Sequence, residues 1–351
     1  MKTALIFPMG GGFGDIIRHD PLIRGLKETY PGIKIDILTA LDRKQILSGE
    51  HEDVGFVQIL SYNFDLIVNC LRYQHESEYS FMLSKKGRWK ELIGFTSKET
   101  GTNQTAVDEW NYIFDLDTVY PDELYKRRCK TPPKNLAQRL CEICNIFPED
   151  RRIHYHVTEE EQEWAHNFLK EKKLKSSFVL LHPCTAGKLA KPKMIGIPDD
   201  DWNEIKQWKP GDAYGEVVDS RDISLMNFKQ LIKLNKEFHF IAIGAPQDKS
   251  KLDYLEEEEN CTVSISGLRK NLSLLTVADW FIGVDSGPSH VAYALDVPSL
   301  VLYIGLFKHS SVPVEPKVKH VLYSKDPLSV KRITVEDVHE QFKKLRELNV
   351  H

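Results

Sequence analysis

No apolar run in this chain approaches the roughly 18 residues a membrane-spanning helix needs, which argues against a helical integral membrane protein. Cysteine is scarce, 6 in 351 residues, and a chain this long with so few is not a disulfide scaffold. Positive charge is not in excess: 47 Lys and Arg stand against 51 Asp and Glu, a formal net charge of -4. Bulk nucleic-acid binding needs a basic footprint, so nucleic acid is not an expected partner. The apolar start, Met1-Lys-Thr-Ala-Leu-Ile-Phe7, is too short for a secretory signal and runs straight into glycines, so it reads as a buried first strand. Cys141 and Cys144 form a C-x-x-C, but inside the helical pattern Leu136–Cys144, where packing rather than redox chemistry is expected. A cytoplasmic protein with reduced thiols is expected. What is there, 41% hydrophobic and 28% charged residues, is the make-up of a soluble globular protein long enough for two domains.

Short apolar runs alternate with helical stretches through the first half. Ala4–Pro8, Ile33–Leu38 and Asp65–Asn69 read as strands; Asp20–Tyr30 and Asp42–Leu47 read as helices, the former capped by Asp20 with Pro21 in its first turn. Residues 72–130 show weak periodicity and read as an elaboration hung on the sheet. A helix is expected at 134–146, and Phe147–Arg151 is a plausible hinge. The alternation then resumes. Helices are expected at Glu159–Lys172, Ser224–Lys236, Lys249–Glu258 and 334–348, and strands at Phe178–His182, Phe238–Gly244 and Ser299–Ile304. The last helix carries Val335, Val338, Phe342 and Leu345 on one face. The acidic run Glu256–Glu259 reads as a solvated helix end. This is the pattern of an α/β protein with parallel sheets.

The chemistry gathers at predicted strand ends. Gly283-Val-Asp-Ser-Gly-Pro-Ser-His290 follows an apolar run and precedes a helical one. A sharp glycine turn there aims backbone N–H groups and the positive end of a helix dipole at one spot, which suits a phosphate. Asp285 is a candidate for ribose contacts or for orienting the turn, Ser286 and Gly287 for donating N–H groups, and His290 for facing the same ligand. A plain strand-to-helix connection with a capping Asp is the bland alternative. Gly10-Gly-Gly-Phe-Gly-Asp15 lacks the third glycine of a dinucleotide fingerprint and the Gly-Lys-Ser/Thr of a P-loop. It offers Asp15, a carboxylate beyond the first strand and a candidate general base, or else a helix cap. In His182-Pro-Cys-Thr-Ala-Gly-Lys188, Thr185, Lys188 and the nearby Lys191 suit a phosphate, or form a solvated loop. In Gly244-Ala-Pro-Gln-Asp248, Asp248 suits a ribose or caps a helix. Lys85-Lys-Gly-Arg-Trp-Lys90 sets cations around an aromatic, which suits an anionic acceptor, a phospholipid surface or plain solvent. His154 and His156 share a strand face without a third ligand, so no metal is expected.

In this order the motifs resemble the ADP-heptose:lipopolysaccharide heptosyltransferases, glycosyltransferase family 9. Gly14-Asp15 with Pro21–Pro31 looks like the family's opening signature. Gly244–Asp248 looks like its ribose-contact turn, with Asp248 where Glu is frequent. Gly283–Pro298 looks like its donor-diphosphate signature, with Ser286 where Thr is usual. The resemblance implies a GT-B fold, two Rossmann-like domains facing each other across a cleft. Residues 1–150 would bind the acceptor, 151–330 would bind the nucleotide sugar, and 331–351 would form a C-terminal helix. It implies inverting, metal-independent transfer without a cofactor, with Asp15 as base and Thr185, Lys188 or Lys191, Asp248, Asp285, Ser286, Gly287 and His290 on the donor. Gly12, Gly14, Lys86 and Arg88 are the weaker acceptor candidates. Implied partners are a nucleotide-sugar donor and a glycan or lipid-linked glycan acceptor, with peripheral membrane contact at the inner face. Two departures stand out: a long insertion after Cys184, and the unplaced pattern of 72–130. An epimerase or hydrolase of the same fold, and a non-catalytic nucleotide-sugar binder, remain the alternatives.

Overall fold

The structure is a computed structural model describing residues 2–8, 12–57, 64–70, 89–94, 135–174, 177–184, 224–303, 313–325, 330 and 332–348. They divide into two compact units, and the chain passes from the first to the second after Ile153.

In the first unit five parallel strands stand in the order β3-β2-β1-β4-β5: β1 Thr3–Phe7, β2 Lys34–Leu38, β3 Gly55–Val57, β4 Phe64–Asn69 and β5 Trp89–Gly94. Ala4 to Phe7 are all buried, as a central strand covered on both faces requires. Ala4 pairs with Ile35 on one side and Leu66 on the other. Helix α1 (Phe13–Ile17) and helix α2 (Asp20–Thr29) follow β1 directly. Leu22, Ile23 and Leu26 of α2 are fully buried, and α2 packs on α3 (Leu136–Ile143).

Three expectations change here. Residues 42–47 form a 3-10 turn, Leu41–Ile46, rather than an α-helix. Asp20 does not cap α2: His19 holds that position, and the fully buried Asp20 carboxylate instead meets His51 Nε2 at 2.7 Å and Arg24 Nη2 at 3.0 Å. The segment 72–130 contains β5, which pairs in parallel with β4 at the end of the sheet among the described residues. Its Lys90 bonds Asp65 on β4 at 2.6 Å, so one cation of the basic motif is in a strand-to-strand ion pair. Gly94 ends the strand at φ 98°, where a Cβ would lie 2.1 Å from the Asn69 carbonyl oxygen. The C-x-x-C agrees with expectation: both thiols are buried and inert. Burial pushes the Cys141 thiol up, and Cys144 is raised by its hydrogen bond with Cys70 and by burial.

The second unit has six parallel strands in the order β11-β10-β9-β6-β7-β8. They are β6 Phe178–His182, β7 His239–Ile243, β8 Cys261–Ser264, β9 Trp280–Val284, β10 Ser299–Leu302 and β11 His320–Tyr323. The helices are α4 Glu159–Glu171, α5 Leu225–Leu234, α6 Lys249–Glu256, α7 Leu268–Ser273, α8 Gly287–Ala294 and α9 Val335–Leu348. Helix α9 buries Val338, Phe342 and Leu345, and Phe342 meets Phe238 and Trp280 edge-on at 5.7 and 6.0 Å. The acidic run after α6 is not simply solvated. Glu257 and Glu258 pair with Lys229 and Lys233 of α5, because α5 and α6 pack against each other.

Candidate functional site

Open parallel sheets bind ligands beyond the carboxyl ends of their strands, where the strand order reverses. In the first unit that point lies between β1 and β4, and Asp15 follows β1. Its Oδ2 accepts the Gly12 N–H at 3.0 Å, closing a capping turn at the start of α1. The cap expected as the alternative to a base is therefore present. It occupies one acceptor position of a carboxylate that has about four. Arg18 Nη1 stands 3.9 Å from the other oxygen, and the side chain keeps 33% exposure. Behind it, His19 Nδ1 lies 2.8 Å from the Asp15 carbonyl oxygen. Burial outweighs that bond and lowers the His19 pKa to about 4, so this imidazole is neutral at physiological pH and adds no charge next to Asp15. Gly12 and Gly14 lie half-buried in the same turn.

In the second unit the order reverses between β6 and β9. His182, the last residue of β6, is paired in register with Gly283 of β9. A Cβ on Gly283 would come within 2.7 Å of Phe281 Cζ and 3.0 Å of the His182 carbonyl oxygen, so glycine is what lets β9 lie this close. The turn that follows brings its four predicted residues together. Asp285 Oδ1 is 3.7 Å from His290 Nε2, with both side chains nearly buried, and the Asp285 N–H bonds the Leu302 carbonyl of β10 at 3.2 Å. Ser286 precedes α8, but its N–H goes to Ser289 Oγ at 3.3 Å, and Ser289 Oγ donates to the Ser286 carbonyl at 2.7 Å. Of the two N–H groups expected to meet an anion, that of Ser286 is thus taken within the turn; Gly287 is the first residue of α8. The Ser286 hydroxyl donates to the Val284 carbonyl at 3.0 Å and lies 3.0 Å from His182 Nδ1.

Asp248 lies beyond β7, the neighbour of β6. Its Oδ2 accepts the Ala245 N–H at 3.1 Å, so its role in the structure is the cap, and it is 7% exposed. Asn271 of α7 holds this turn from behind. Its Nδ2 donates to the Gly244 carbonyl at 3.0 Å, while its Oδ1 accepts from Ser264 Oγ at 2.8 Å. Thr185, Lys188, Lys191, Lys86 and Arg88 lie outside the described residues. Among the described residues no group of three or more His, Cys, Asp or Glu could hold a metal ion, and no helix is long and apolar enough to cross a membrane. Sequence reasoning did not single out His182, Ser289 or Asn271. His182 carried a signal, as the polar end of a buried apolar strand; Asn271 carried none, since its partners lie 27 and 7 residues away.

Residues 227–336 match the model of glycosyltransferase family 9 (heptosyltransferase). No curated protein matches the chain significantly by sequence. Among solved structures, the glycosyl transferase family 9 protein from Veillonella parvula DSM 2008 is 14% identical with a TM-score of 0.62, over 98% of this chain and 97% of that one. The E. coli heptosyltransferase WaaC with ADP is 15% identical with a TM-score of 0.56, over 98% of each chain. E. coli ADP-heptose lps heptosyltransferase II is 13% identical with a TM-score of 0.56, again over 98% of each. At these identities the likeness shows the fold, that of the GT-B heptosyltransferases. The resemblance read from the motifs is borne out, and the matched segment contains both the Gly244–Asp248 and the Asp285–His290 turns.

Proposed function

We propose that the chain is an inverting glycosyltransferase that moves a sugar, heptose by the family likeness, from a nucleotide diphosphate donor to a hydroxyl of a glycan or lipopolysaccharide-core acceptor. One observation carries this reading. The Asp285–His290 turn stands at the switch point of the second sheet, inside the segment that matches family 9. A departing diphosphate needs fixed dipoles where its charge develops, and the first turn of α8 offers them without reorganisation. In this reading the Asp285–His290 pair orients that turn.

An attacking hydroxyl needs a base, and Asp15 is that base in this reading. Its bond from Gly12 fixes the carboxylate while leaving acceptor capacity for the incoming proton. Thr185 with Lys188 or Lys191 would contact the donor phosphates, Asp248 the ribose, and Lys86 and Arg88 the acceptor. The donor is ADP-heptose by the same likeness. Transfer runs without a metal or cofactor, at the inner face of the membrane that carries a lipid-linked acceptor.

The test is acceptor-dependent transfer with donor binding measured alongside. A thermal-shift panel identifies the donor first: a ligand at 100 times its Kd stabilises the native state by about 2.7 kcal/mol. ADP-sugars should stabilise more than UDP- or GDP-sugars. Asp15→Ala should then lose about 100-fold or more of transfer with donor binding nearly intact, and transfer should survive EDTA. Full turnover by a folded Asp15→Ala protein would sink the mechanism. Donor consumption with no acceptor present would point to an epimerase or hydrolase instead.

A further inference from the structure

One buried amide joins the turns beyond β7 and β8. The backbone ladder between these strands ends on a long contact, the Gly244 N–H to the Ser264 carbonyl at 3.4 Å. Beyond it stands Asn271 of α7, a buried side chain. Its Nδ2 donates to the Gly244 carbonyl at 3.0 Å, just past β7. Its Oδ1 accepts from Ser264 Oγ at 2.8 Å and from the Ser266 N–H at 3.3 Å, at and past the end of β8. Three of the four hydrogen-bonding positions of the amide are thus used on two turns.

The partners fix which way the amide points. A backbone carbonyl only accepts and a backbone N–H only donates, so Gly244 takes the nitrogen end and Ser266 the oxygen end. The hydroxyls follow. Ser264 gives its one proton to Asn271, so in its 3.2 Å contact with Ser266 Oγ it accepts and Ser266 donates. A directed chain therefore runs from the Ser266 hydroxyl through Ser264 and Asn271 to the Gly244 carbonyl. The turn after Gly244 is closed on itself: the Ala245 N–H bonds Asp248 Oδ2 at 3.1 Å, and the Asp248 N–H bonds the Ala245 carbonyl at 2.8 Å. It follows the Gly244 peptide as a unit, and Asn271 holds that peptide.

We propose that Asn271 is a positioning residue for the donor nucleotide: by holding the Gly244 carbonyl against the turn beyond β8, it sets where Asp248 stands. The inference rests on the glycosyltransferase reading, which puts Asp248 on the ribose. Without the Nδ2 donor, the Gly244 carbonyl loses its side-chain partner and the peptide is free to rotate. Asp248 then moves with its turn, and the nucleotide must restore the arrangement before it binds. The cost falls on nucleotide affinity, which a loss of stability elsewhere in the unit would leave alone.

The experiment measures the affinity of ADP, UDP, GDP and CDP by calorimetry, with melting temperature on the same samples, and follows the tightest binder through the variants. Asn271→Asp keeps the shape and the oxygen end but replaces the donor to Gly244 with a second oxygen. Its affinity should fall about three- to tenfold, the weight of one hydrogen bond. Should the buried carboxylate prevent folding, Asn271→Ala removes the same donor without a charge and should show the same fall. Asn260→Asp is the comparison for a purely structural loss. Asn260 lies just before β8, and its Nδ2 bonds the Ile232 and Phe238 carbonyls, each at 3.1 Å, at the opposite end of the same two strands. That variant should lower the melting temperature and leave nucleotide affinity unchanged. In an Asp248→Ala background the Asn271 substitution should cost little further affinity, because both act through one turn. Equal weakening by the Asn260 and Asn271 variants, unchanged affinity in a folded Asn271 variant, or full additivity with Asp248→Ala would overturn the proposal. A wild-type protein that binds none of the four nucleotides would overturn the glycosyltransferase reading and this inference with it. A wild type that binds, with the variant pattern missing, overturns this inference alone.

Discussion

Single residues of one type do different work here according to where the chain puts them. Asp15, Asp20, Asp248 and Asp285 were all readable as helix caps or ligand contacts. Asp15 and Asp248 do cap, Asp285 lies against His290, and Asp20 is a fully buried ion. Burial raises the Asp20 pKa, but the bonds from His51 and Arg24 outweigh it and hold the carboxyl below its usual range. Arg24 also donates to the Asp150 carbonyl at 2.7 Å and to the Arg152 carbonyl, so it ties α2 to the last residues of the first unit. Asp20→Ala leaves Arg24 and His51 without their shared partner. It should cost roughly 3–5 kcal/mol, the range for breaking a buried pair from one side. Urea unfolding would read this as a lower midpoint at unchanged slope; a loss under 1 kcal/mol would show that water replaces the carboxylate. Asp20-Pro21 looked like a cap because local sequence carries no trace of His51, which lies 31 positions on.

Elements were legible where a periodic apolar pattern met a local boundary. Helix α4 opens on Thr158 with Glu161 reaching back to its N–H, and that capping box is written in four consecutive residues. Strand β6 is found at the expected Phe178–His182 because a fully buried strand is an unbroken apolar run. Strands β3, β5 and β11 were missed; each stands at the end of its sheet among the described residues and is too short or too mixed in pattern to stand out. Helix α7, six residues long, is held mainly by what it touches. Its Arg269 bonds both Glu161 oxygens at 2.6 Å and the His156 carbonyl at 2.9 Å, joining α7 to the start of α4. Removing it leaves a mostly buried Glu161 unpaired, so Arg269→Ala should cost about 2–4 kcal/mol, far more than an exposed ion pair. A loss below 0.5 kcal/mol in denaturant unfolding would place this pair among the weak surface pairs.

The whole molecule should weaken in mild acid, and each unit carries a cause. His19 in the first and His320 in the second are both lowered to about 4, chiefly by burial, from an ordinary value of 6.5. The unfolded chain therefore binds protons that the folded chain refuses. Their contribution is complete above pH 6.5 and is lost as the pH falls from 6.5 to 4, each histidine giving up about 1.4 kcal/mol for every pH unit crossed. Asp20, depressed by its partners, adds a further loss only below the carboxylate range. The melting temperature should fall steeply between pH 6.5 and 4; a flat profile there would mean that both histidines titrate normally in the folded protein. What the sequence alone determined was the α/β class, most strand and helix positions, and three motifs at strand ends, because apolar period and turn chemistry are local properties. Only the tertiary structure decided that Asp20 is a buried ion, that Asn271 backs the Gly244 turn, and that His182 holds the Ser286 hydroxyl. Those partners are brought together by strand order, which neighbouring residues do not encode.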